Sequence, residues 1–312
     1  MAIITYADVK DNPKLSLALT SLTPSEFGEL LVHFKAAWEA HEAERVHKQE
    51  RQRQPGGGRK PVLALIEDRL LFILCYFKTY PLQEVLGFQF GMSQGQACEW
   101  VHILSKVLRA ALARMQHLPE RDAQALAAKL SEGAERGLGL DGTERRRQRP
   151  KDNEKQKKYY SGKKKAHTVK NNVIVTLAGR KVKYLSRTHE GKKHDKKICD
   201  EEPPTFPEKS TLYQDAGFQG YAPPGVDVRQ PKKKPRGKEL STEEKEHNRL
   251  ISRIRIVVEH VISGIKRCRI VKDVFRNTKE KFDDLVMEIA CGLHNFRTEC
   301  RTRATKQSTA TT

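Results

Sequence analysis

The chain has 312 residues, of which 59 are lysine or arginine and 39 are aspartate or glutamate, so the formal net charge is +20. An excess of this size predicts a polyanionic partner, with nucleic acid ahead of a membrane surface. No apolar run approaches the length of a membrane span, and the first residues lack the basic-then-apolar order of a secretory peptide. We therefore expect a cytoplasmic protein that does not contact a membrane.

The six cysteines form no Cys-x-x-Cys pair, and several of them lie in apolar helical patterns. This usage is typical of reduced thiols inside a protein core, and it makes both disulfides and a zinc site poor explanations.

The N-terminal segment, residues 1–57, is predicted to be one helix with a charged end. Thr23-Pro24-Ser25-Glu26 has the features of a helix start, and apolar residues follow at helical spacing from Phe27 to Trp38. Packing within the chain explains this stripe better than a dimer contact. The pattern becomes almost wholly charged after Glu42 and breaks at Pro55–Gly58, which indicates a domain boundary.

Residues 58–118 predict a helix-turn-helix domain. One apolar helix ends at Tyr80-Pro81, a shorter one follows to about Phe90, and a third begins after Gly91-Met92 with Ser93 as its N-cap. Outward-facing polar residues of the third helix are candidates for reading base edges in the major groove. The candidates are Gln94, Gln96 and Lys106.

The C-terminal part predicts an α/β fold. An alanine-rich helix over 119–136 is expected to connect to a domain over 137–298, where short β-branched runs indicate strands and later amphipathic runs indicate helices. This order favours a mixed sheet covered by helices. The last residues, 299–312, are polar and are expected to form a mobile tail.

Two basic runs interrupt this domain, one from Arg145 to Lys165 and one from Lys232 to Lys238. Runs of charge are usually solvated loops. Each of these runs follows an unusual aspartate, and that placement favours loops that bind DNA phosphates beside a reaction centre. The candidate phosphate ligands are Arg145, Arg147, Lys163, Lys164, Lys232 and Lys233.

Three carboxylates are candidates for the chemistry. Asp141 and Asp215 lie in apolar, glycine-flanked segments, and each ends a predicted strand, Leu138–Asp141 and Thr211–Asp215. Glu259 lies between Arg255 and Lys266 on a helix that begins near Ser241, where Ser241 and Glu244 predict a capping box. Three such groups could hold two Mg²⁺ or Mn²⁺ ions ~3.5–4 Å apart, which would stabilise the attacking and leaving oxygens of a phosphodiester. From spacing alone, turn-capping aspartates and an intrahelical ion pair explain the same residues.

Seven segments in order give the chain a specific resemblance. It is similar to the DDE transposases of the insertion-sequence-5 group, which are related to the Harbinger-like nucleases. The matching segments are Gly58-Arg-Lys-Pro61, Thr79-Tyr-Pro-Leu-Gln-Glu-Val85, Leu140-Asp-Gly-Thr-Glu144, Tyr159-Tyr-Ser-Gly-Lys-Lys-Lys165, Gly191-Lys-Lys-His-Asp195, Tyr213-Gln-Asp-Ala-Gly-Phe-Gln-Gly220 and Cys291-Gly-Leu-His-Asn-Phe296.

The resemblance implies a ribonuclease-H-like fold with Asp141, Asp215 and Glu259 as the catalytic, metal-binding triad. Arg255, Glu259 and Lys266 fit the second half of the group's last motif, and the two cations are expected to neutralise DNA phosphates near Glu259. This chain has Ser252 where the group has a tyrosine. The resemblance also implies that His194 and Asp195 border the site; Asp195 is a weaker candidate ligand, and a helix cap is the favoured explanation for it.

The function that follows is a transposase. It would bind the terminal inverted repeats of its element, cleave the strands there, and join the 3′-hydroxyl ends to target DNA. A homodimer or higher multimer, associated with the bacterial nucleoid, is expected from the resemblance. The alternatives are a domesticated nuclease that cuts without joining, and a catalytically silent helix-turn-helix regulator.

Overall fold

A computed structural model of the chain describes residues 3–48, 61–133, 135–234, 237 and 239–310. The predicted boundary at Pro55–Gly58 lies outside these residues, as do three residues of the second basic run, Pro235, Arg236 and Lys238. The described residues form two compact units. One comprises Met1–Leu118, Arg267–Val271 and Leu285–Thr312, and the other comprises Pro119–Lys266 and Lys272–Asp284. The predicted domain limits at residues 118 and 298 stay predictions, because contacts divide the chain differently after residue 266.

The first unit is built from helices. They are α1 (Pro13–Thr20), α2 (Pro24–Lys48), α3 (Ile66–Thr79), α4 (Gln83–Gln89), α5 (Gln94–Arg114) and α10 (Phe282–Ala310), of which α10 starts in the second unit. Phe27, Leu30 and Phe34 of α2 are fully buried. The stripe on this helix therefore packs within the chain, as predicted.

The helix-turn-helix prediction is confirmed element by element in α3, α4 and α5. Ser93 caps α5, and its hydroxyl and the Gln96 side chain satisfy each other's backbone N–H groups. Gly91 occupies the turn with φ +69°, a left-handed conformation that favours glycine. The inward face of α5 is fully buried, which packs this helix against its neighbours.

The polar segment after Glu299 continues α10 as far as Ala310, and the mobility expected of it stays a prediction. This segment contains no glycine or proline to end the helix. Arg303 adds a tertiary contact, because its Nη2 donates to both carboxylate oxygens of Glu29 in α2, at 2.7 and 2.9 Å. Composition alone does not reveal such a partner.

The second unit contains a seven-stranded mixed sheet. Its strands are β1 (Gly137–Arg146), β2 (Tyr160–Ser161), β3 (Ala166–Thr176), β4 (Val182–Leu185), β5 (His189–Glu190), β6 (Ser210–Gln214) and β7 (Val226–Arg229). The order is β2-β3-β1-β6-β7, with β4 and β5 also paired to β3. β1 is antiparallel to β3 and parallel to β6, so the predicted mixed sheet is confirmed and its order is consistent with a ribonuclease-H-like fold.

Strand β1 is longer than predicted. The expected strand ended at Asp141, but β1 continues to Arg146 because β3 pairs with it from Leu138 opposite Thr176 to Arg146 opposite Thr168. Arg145 and Arg146 are thus strand residues and do not belong to a loop.

Four helices complete the second unit. They are α6 (Leu126–Ser131), α7 (Asn153–Tyr159), α8 (Asp195–Glu201) and α9 (Thr242–Ile265). One face of the sheet packs against α6 and α8, through a core that includes Leu140, Leu212 and Cys199. The other face packs against α9, because a Cβ at Gly139 would collide with the side chain of Val258.

The predicted connecting helix over 119–136 is reduced to α6. The residues before α6 are held in another conformation, because Glu120 joins strand β4: its N–H donates to the Lys183 carbonyl at 2.7 Å, and its own carbonyl accepts from the Leu185 N–H at 3.0 Å. The Glu120 carboxylate also accepts from the N–H groups of Arg121 and Asp122. These local and sheet bonds compete with helix formation.

All six cysteines are free thiols in the structure, and four of them are buried. The prediction that cysteines lie in the core is therefore confirmed for Cys75, Cys199, Cys268 and Cys291.

Candidate active site

Asp141 and Asp215 are brought together by the parallel pairing of β1 and β6. The last pair of this ladder is Leu140 with Gln214, and each aspartate is the next residue on its strand. Neighbouring strands lie about 4.8 Å apart, so the two carboxylates start from adjacent backbone positions. Residues 74 positions apart in sequence therefore meet at one point of the sheet.

The Asp141 carboxyl group is largely desolvated. Burial raises its pKa to about 6, and the charges of Asp215 and Asp195 act in the same direction. The hydrogen bond from the Gly142 N–H, at 2.8 Å, and the nearby Arg255 oppose this increase. A buried carboxylate beside two others is a group that a bound cation would stabilise strongly.

Helix α9 crosses both aspartates. Ser241 and Glu244 form the predicted capping box at its start, and its buried face includes Ile251, Val258 and Ile265. Because glycine at position 139 lets Val258 approach β1 closely, the helix passes directly over the strand that carries Asp141.

Arg255 of α9 reaches the second aspartate, with its Nη2 at 3.3 Å from Asp215 Oδ2. The favoured sequence interpretation paired Arg255 with Glu259 along the helix; among the described residues its ion pair is with Asp215. Asp215 also accepts a 2.6 Å hydrogen bond from the Ala216 N–H, so the turn-capping role that the sequence offered for this residue is present.

Glu259 lies one helical turn after Arg255 and next to Val258, and its side chain is exposed. Within the described residues, no group of three or more His, Cys, Asp or Glu side chains is close enough to hold a metal ion. The structure thus places the helix of Glu259 over the aspartates without bringing its carboxylate into a closed ligand set.

Asp195 is the functional candidate that sequence reasoning undervalued. His194 is the N-cap of α8, and Asp195 is its first residue, so the helix-cap explanation is wrong. Its carboxylate meets the active-site strand: a Cβ at Gly142 would lie 2.9 Å from its Cγ, and a Cβ at Gly217 would lie 3.8 Å from its Oδ2. The sequence signal was Gly191-Lys-Lys-His-Asp195, which the resemblance already placed beside the site.

Asp195 is held in place from β3. The Asn172 amide donates to the backbone carbonyl of Asp195 at 2.8 Å, and Lys170 Nζ lies 3.3 Å from the side-chain Oδ1. That ion pair lacks hydrogen-bond geometry, since Oδ1 is shielded from solvent and accepts no hydrogen bond from the described part of the chain. An oxygen of this kind fits a cation.

The donor set suits a hard divalent cation. Asp141, Asp195 and Asp215 offer carboxylate oxygens, which Mg²⁺ and Mn²⁺ prefer. The buried, unbonded oxygen of Asp195 and the desolvated carboxyl of Asp141 are the observations that support this fit.

Lys266 is the C-cap of α9, on the face of the sheet that this helix covers. Burial lowers its pKa, and Lys164 and Arg145 act in the same direction, whereas Asp141 and Glu144 raise it. The amine is therefore half-buried beside the active-site strand, as its sequence position beyond Glu259 predicts. At the family's tyrosine position, the exposed Ser252 only donates back to the Asn248 carbonyl, at 2.8 Å.

Arg145 is a correction to the predicted phosphate ligands. Its side chain is 3% exposed, and its guanidinium donates to Asn171 Oδ1 at 2.7 Å, to Thr188 and to the Asp283 carbonyl. These bonds hold it inside the second unit, on the same face of β1 as the buried Thr143. Arg147 is half-buried with its guanidinium 4.2 Å from the Tyr159 ring, and Lys163 and Lys164 are exposed.

The described lysines of the second basic run are also exposed. Lys232 Nζ lies 3.3 Å from Glu244, Lys234 pairs with Glu239, and Lys233 faces solvent. Part of the charge of this run is therefore balanced by acids before DNA is present.

The base-reading candidates of α5 are exposed, as predicted. Gln94 Nε2 donates to Gln83 at 2.9 Å, and Gln96 Oε1 accepts from the Ser93 N–H at 3.1 Å as part of the capping box. The two glutamines thus have fewer hydrogen-bonding groups left for a base edge, whereas Lys106 takes part in neither of these bonds.

Comparisons with known proteins match two regions of the chain to families. Residues 140–295 match the family described as DDE superfamily endonuclease, and residues 62–114 match the helix-turn-helix of DDE superfamily endonuclease. The probable transposase for insertion sequence element IS702 of Microchaete diplosiphon is 31% identical over 251 residues, which is 80% of this chain and 87% of that protein.

No solved structure gives a significant match. In the described residues, no helix is long and apolar enough to cross a membrane. The two matched regions coincide with the helices α3–α5 and with the segment that carries Asp141, Asp195, Asp215 and Glu259. The chain therefore belongs to the DDE superfamily of endonucleases and carries the helix-turn-helix region of that superfamily.

Proposed function

We propose that the chain is a DNA transposase that cleaves strands at the ends of its insertion sequence and joins the freed 3′-hydroxyl groups to target DNA. The observation that carries this proposal is the meeting of Asp141 and Asp215 at the end of the β1–β6 ladder, under a helix that carries Glu259. The relative from Microchaete diplosiphon is named as a probable transposase, which supports the same activity.

The site residues take separate roles in this proposal. Asp141, Asp215 and Glu259 are the metal ligands, and Asp195 adds a fourth carboxylate from α8. Two Mg²⁺ or Mn²⁺ ions would stabilise the attacking and leaving oxygens of the phosphodiester when bound. Arg255 beside Asp215 and Lys266 beside Asp141 supply positive charge where a DNA phosphate would lie.

DNA binding is assigned to the helix-turn-helix region and the exposed basic residues. α5 would lie in the major groove of the terminal inverted repeats, with Gln94, Gln96 and Lys106 facing the bases. Two ends must be held together for transposition, so we propose a homodimer or higher multimer on the DNA. The net charge of +20 supports contacts with both end and target DNA.

The test is incubation of the full chain with its own element's end DNA, with and without Mg²⁺, and mapping of nicks to the nucleotide. Asp141→Asn and Asp215→Asn should lower cleavage on the order of 10³-fold or more while DNA binding is retained. Asp200→Asn is the matched control, because this exposed aspartate of α8 pairs with Lys196 away from the strand ends.

Other outcomes would replace the proposal. Full cleavage by either active-site variant would remove that residue from the site. Cleavage without joining of a pre-cut end to a second DNA would favour a nuclease, and DNA binding without any metal-dependent cleavage would favour a regulator.

A further inference from the structure

The second unit contains a cavity of about 670 Å³ that the catalytic assignment does not use. Its volume lies within the range of small-ligand sites, roughly 300–1,000 Å³. It lies at the edge of the sheet where β2 pairs with the start of β3. The lining residues are Arg149, Gln156, Lys157, Tyr160, Gly162, His167 and Lys192.

Two aromatic rings form part of the wall. Tyr160 pairs with His167 across β2 and β3, and their ring centroids are 5.7 Å apart at an angle of 70°. Tyr160 is 45% exposed, although large aromatic side chains usually bury most of their surface. An edge-to-face pair leaves ring faces open, and an exposed ring face is the surface on which a nucleic-acid base stacks.

The same cavity is lined by three cationic side chains and by no acidic one. Arg149 Nε donates to Gln156 Oε1 at 2.9 Å, which orients the guanidinium and uses one of its five N–H donors. Lys157 pairs with Glu154, but both side chains are 72% exposed, so this pair is weak and a phosphate can replace it. The cations come from three separate segments, and they line the same cavity as the rings.

The cavity lies along the strand that pairs with the active site. His167 borders the cavity, and Val173 of the same strand is opposite Asp141. Six residues of antiparallel strand span about 20 Å, which is close to the length of six nucleotides of one DNA strand at about 3.4 Å each. One DNA strand can therefore extend from the aspartates to the cavity.

We propose that this cavity binds a single unpaired nucleotide of the DNA strand, with its base against Tyr160 and its phosphates at Arg149, Lys157 and Lys192. The inference rests on the proposed function in one respect, that DNA is the substrate. Phosphate contacts to an intact duplex would need only an exposed basic surface. A concave site with open ring faces adds a requirement for a planar base, which an intact duplex keeps stacked.

The test measures binding of the full chain, in EDTA so that no strand is cut, to two random-sequence duplexes. One duplex is fully paired, and the other carries one unpaired 2-aminopurine, whose fluorescence falls when it stacks. The wild-type chain should prefer the second duplex and quench its fluorescence. Tyr160→Ala should reduce that preference about tenfold or more, because base stacking on an aromatic side chain contributes that much.

Two further variants separate stacking from misfolding and from charge. Tyr160→Phe keeps the ring and should keep both the preference and the quenching. Lys157→Ala should weaken the unpaired duplex more than the paired one, whereas Lys233→Ala, an exposed lysine of the other basic run, should weaken both equally.

The remaining outcomes are decisive. Equal binding of the two duplexes by the wild-type chain would overturn the cavity inference and leave the proposed function standing. Deoxyadenosine monophosphate that binds more tightly than the unpaired duplex would also overturn it, because the cavity would then serve free nucleotides. A chain that binds neither duplex would contradict DNA as the substrate, and with it the proposed function.

Discussion

The second unit holds two regions of different charge along one pair of strands. Around Asp141, the neighbouring acids are paired with cations, Asp215 with Arg255 and Asp195 with Lys170, and burial raises the pKa of Asp141 to about 6. About 20 Å along β3, the cavity beside Tyr160 is open and cationic. The difference shows that the positive charge of this unit is not spread evenly: acids and cations balance each other around Asp141, whereas the cavity is lined by cations without an acid.

The first prediction tests the desolvation of Asp141. Because the pKa of Asp141 is higher in the folded chain than the usual 3.8, this carboxyl group binds more protons in the folded chain than in the unfolded one between pH ~4 and ~6. Asp141 should therefore contribute a fall of about 3 kcal/mol to the stability of the metal-free chain as pH rises through this window, opposed by groups such as Glu202 and Asp284, whose pKa values are lowered in the folded chain.

Asp141→Asn removes the titrating group, so the variant should not show this fall and should be the more stable protein at neutral pH. Urea unfolding in EDTA, at several pH values across the window, measures the difference. Asp200→Asn is the control, since its exposed carboxylate is outside the desolvated site. Parallel pH profiles for wild type and Asp141→Asn would show that Asp141 is solvated in the folded chain.

The next prediction compares two adjacent arginines of β1, one buried and one exposed. Arg145 is buried and bonded to Asn171, Thr188 and Asp283, whereas Arg146 is exposed on the opposite side of β1. Arg145→Ala should lower the free energy of unfolding by about 2–3 kcal/mol, because charged hydrogen bonds are lost and buried partners stay unpaired. Arg146→Ala should change it by less than about 0.5 kcal/mol.

Calorimetry of the two alanine variants, with DNA binding measured for both, tests this contrast. A loss of DNA affinity in a fully stable Arg145→Ala protein would restore Arg145 as a phosphate ligand. The sequence cannot separate the two residues by composition, because both belong to one basic run.

Asp195 gives the next smaller effect. Its carboxylate lies against Gly142, and its buried Oδ1 accepts no hydrogen bond from the described residues. Asp195→Asn should lower metal-dependent cleavage by about 10- to 100-fold and raise the Mg²⁺ concentration needed for half-maximal activity. Binding of Mn²⁺ to the full chain, followed by electron paramagnetic resonance, gives a readout independent of activity.

The control for this prediction is Glu201→Gln, an exposed residue of the same helix that pairs with Lys193. Unchanged Mn²⁺ affinity in Asp195→Asn would make Asp195 a structural partner of Lys170 only. Comparison with Glu259→Gln would show whether Asp195 or Glu259 adds more Mn²⁺ affinity to the site formed by Asp141 and Asp215.

Local patterns predicted the fold where local physics decides it. The capping boxes at Ser93 and Ser241 and the apolar faces of α5 and α9 depend on residues three or four positions apart, so sequence is sufficient. The length of β1, the burial of Arg145 and the helix after Glu299 depend on partners far along the chain. These features could not be predicted from periodicity.

The same distinction between local patterns and long-range contacts applies to the candidate site. Asp141 and Asp215 were chosen for their glycine-flanked strands, and the β1–β6 register brings them together. Asp195 was taken as a cap because its helix start is local information, whereas its approach to Gly142 is tertiary. Part of the cavity beside Tyr160 lies in the basic run from Arg145 to Lys165, which the sequence predicted as a loop that binds phosphates, whereas His167 and Lys192 join it only through the fold.

The smallest predicted effect is a difference between the two basic runs in how strongly they make DNA affinity depend on salt. Lys163 and Lys164 are exposed, and Lys164 is close enough to lower the pKa of Lys266 beside the active site. Lys232 is already paired with Glu244.

Each phosphate contact adds about 0.9 to the magnitude of the slope of log affinity against log salt. The double variant Lys163→Ala/Lys164→Ala should therefore reduce this magnitude by up to about 2. The double variant Lys232→Ala/Lys233→Ala should reduce it by about 1. Titrations of one duplex at several salt concentrations measure both slopes. Equal reductions would mean that Glu244 releases Lys232 when DNA binds, and the two runs would then form a single phosphate-binding surface.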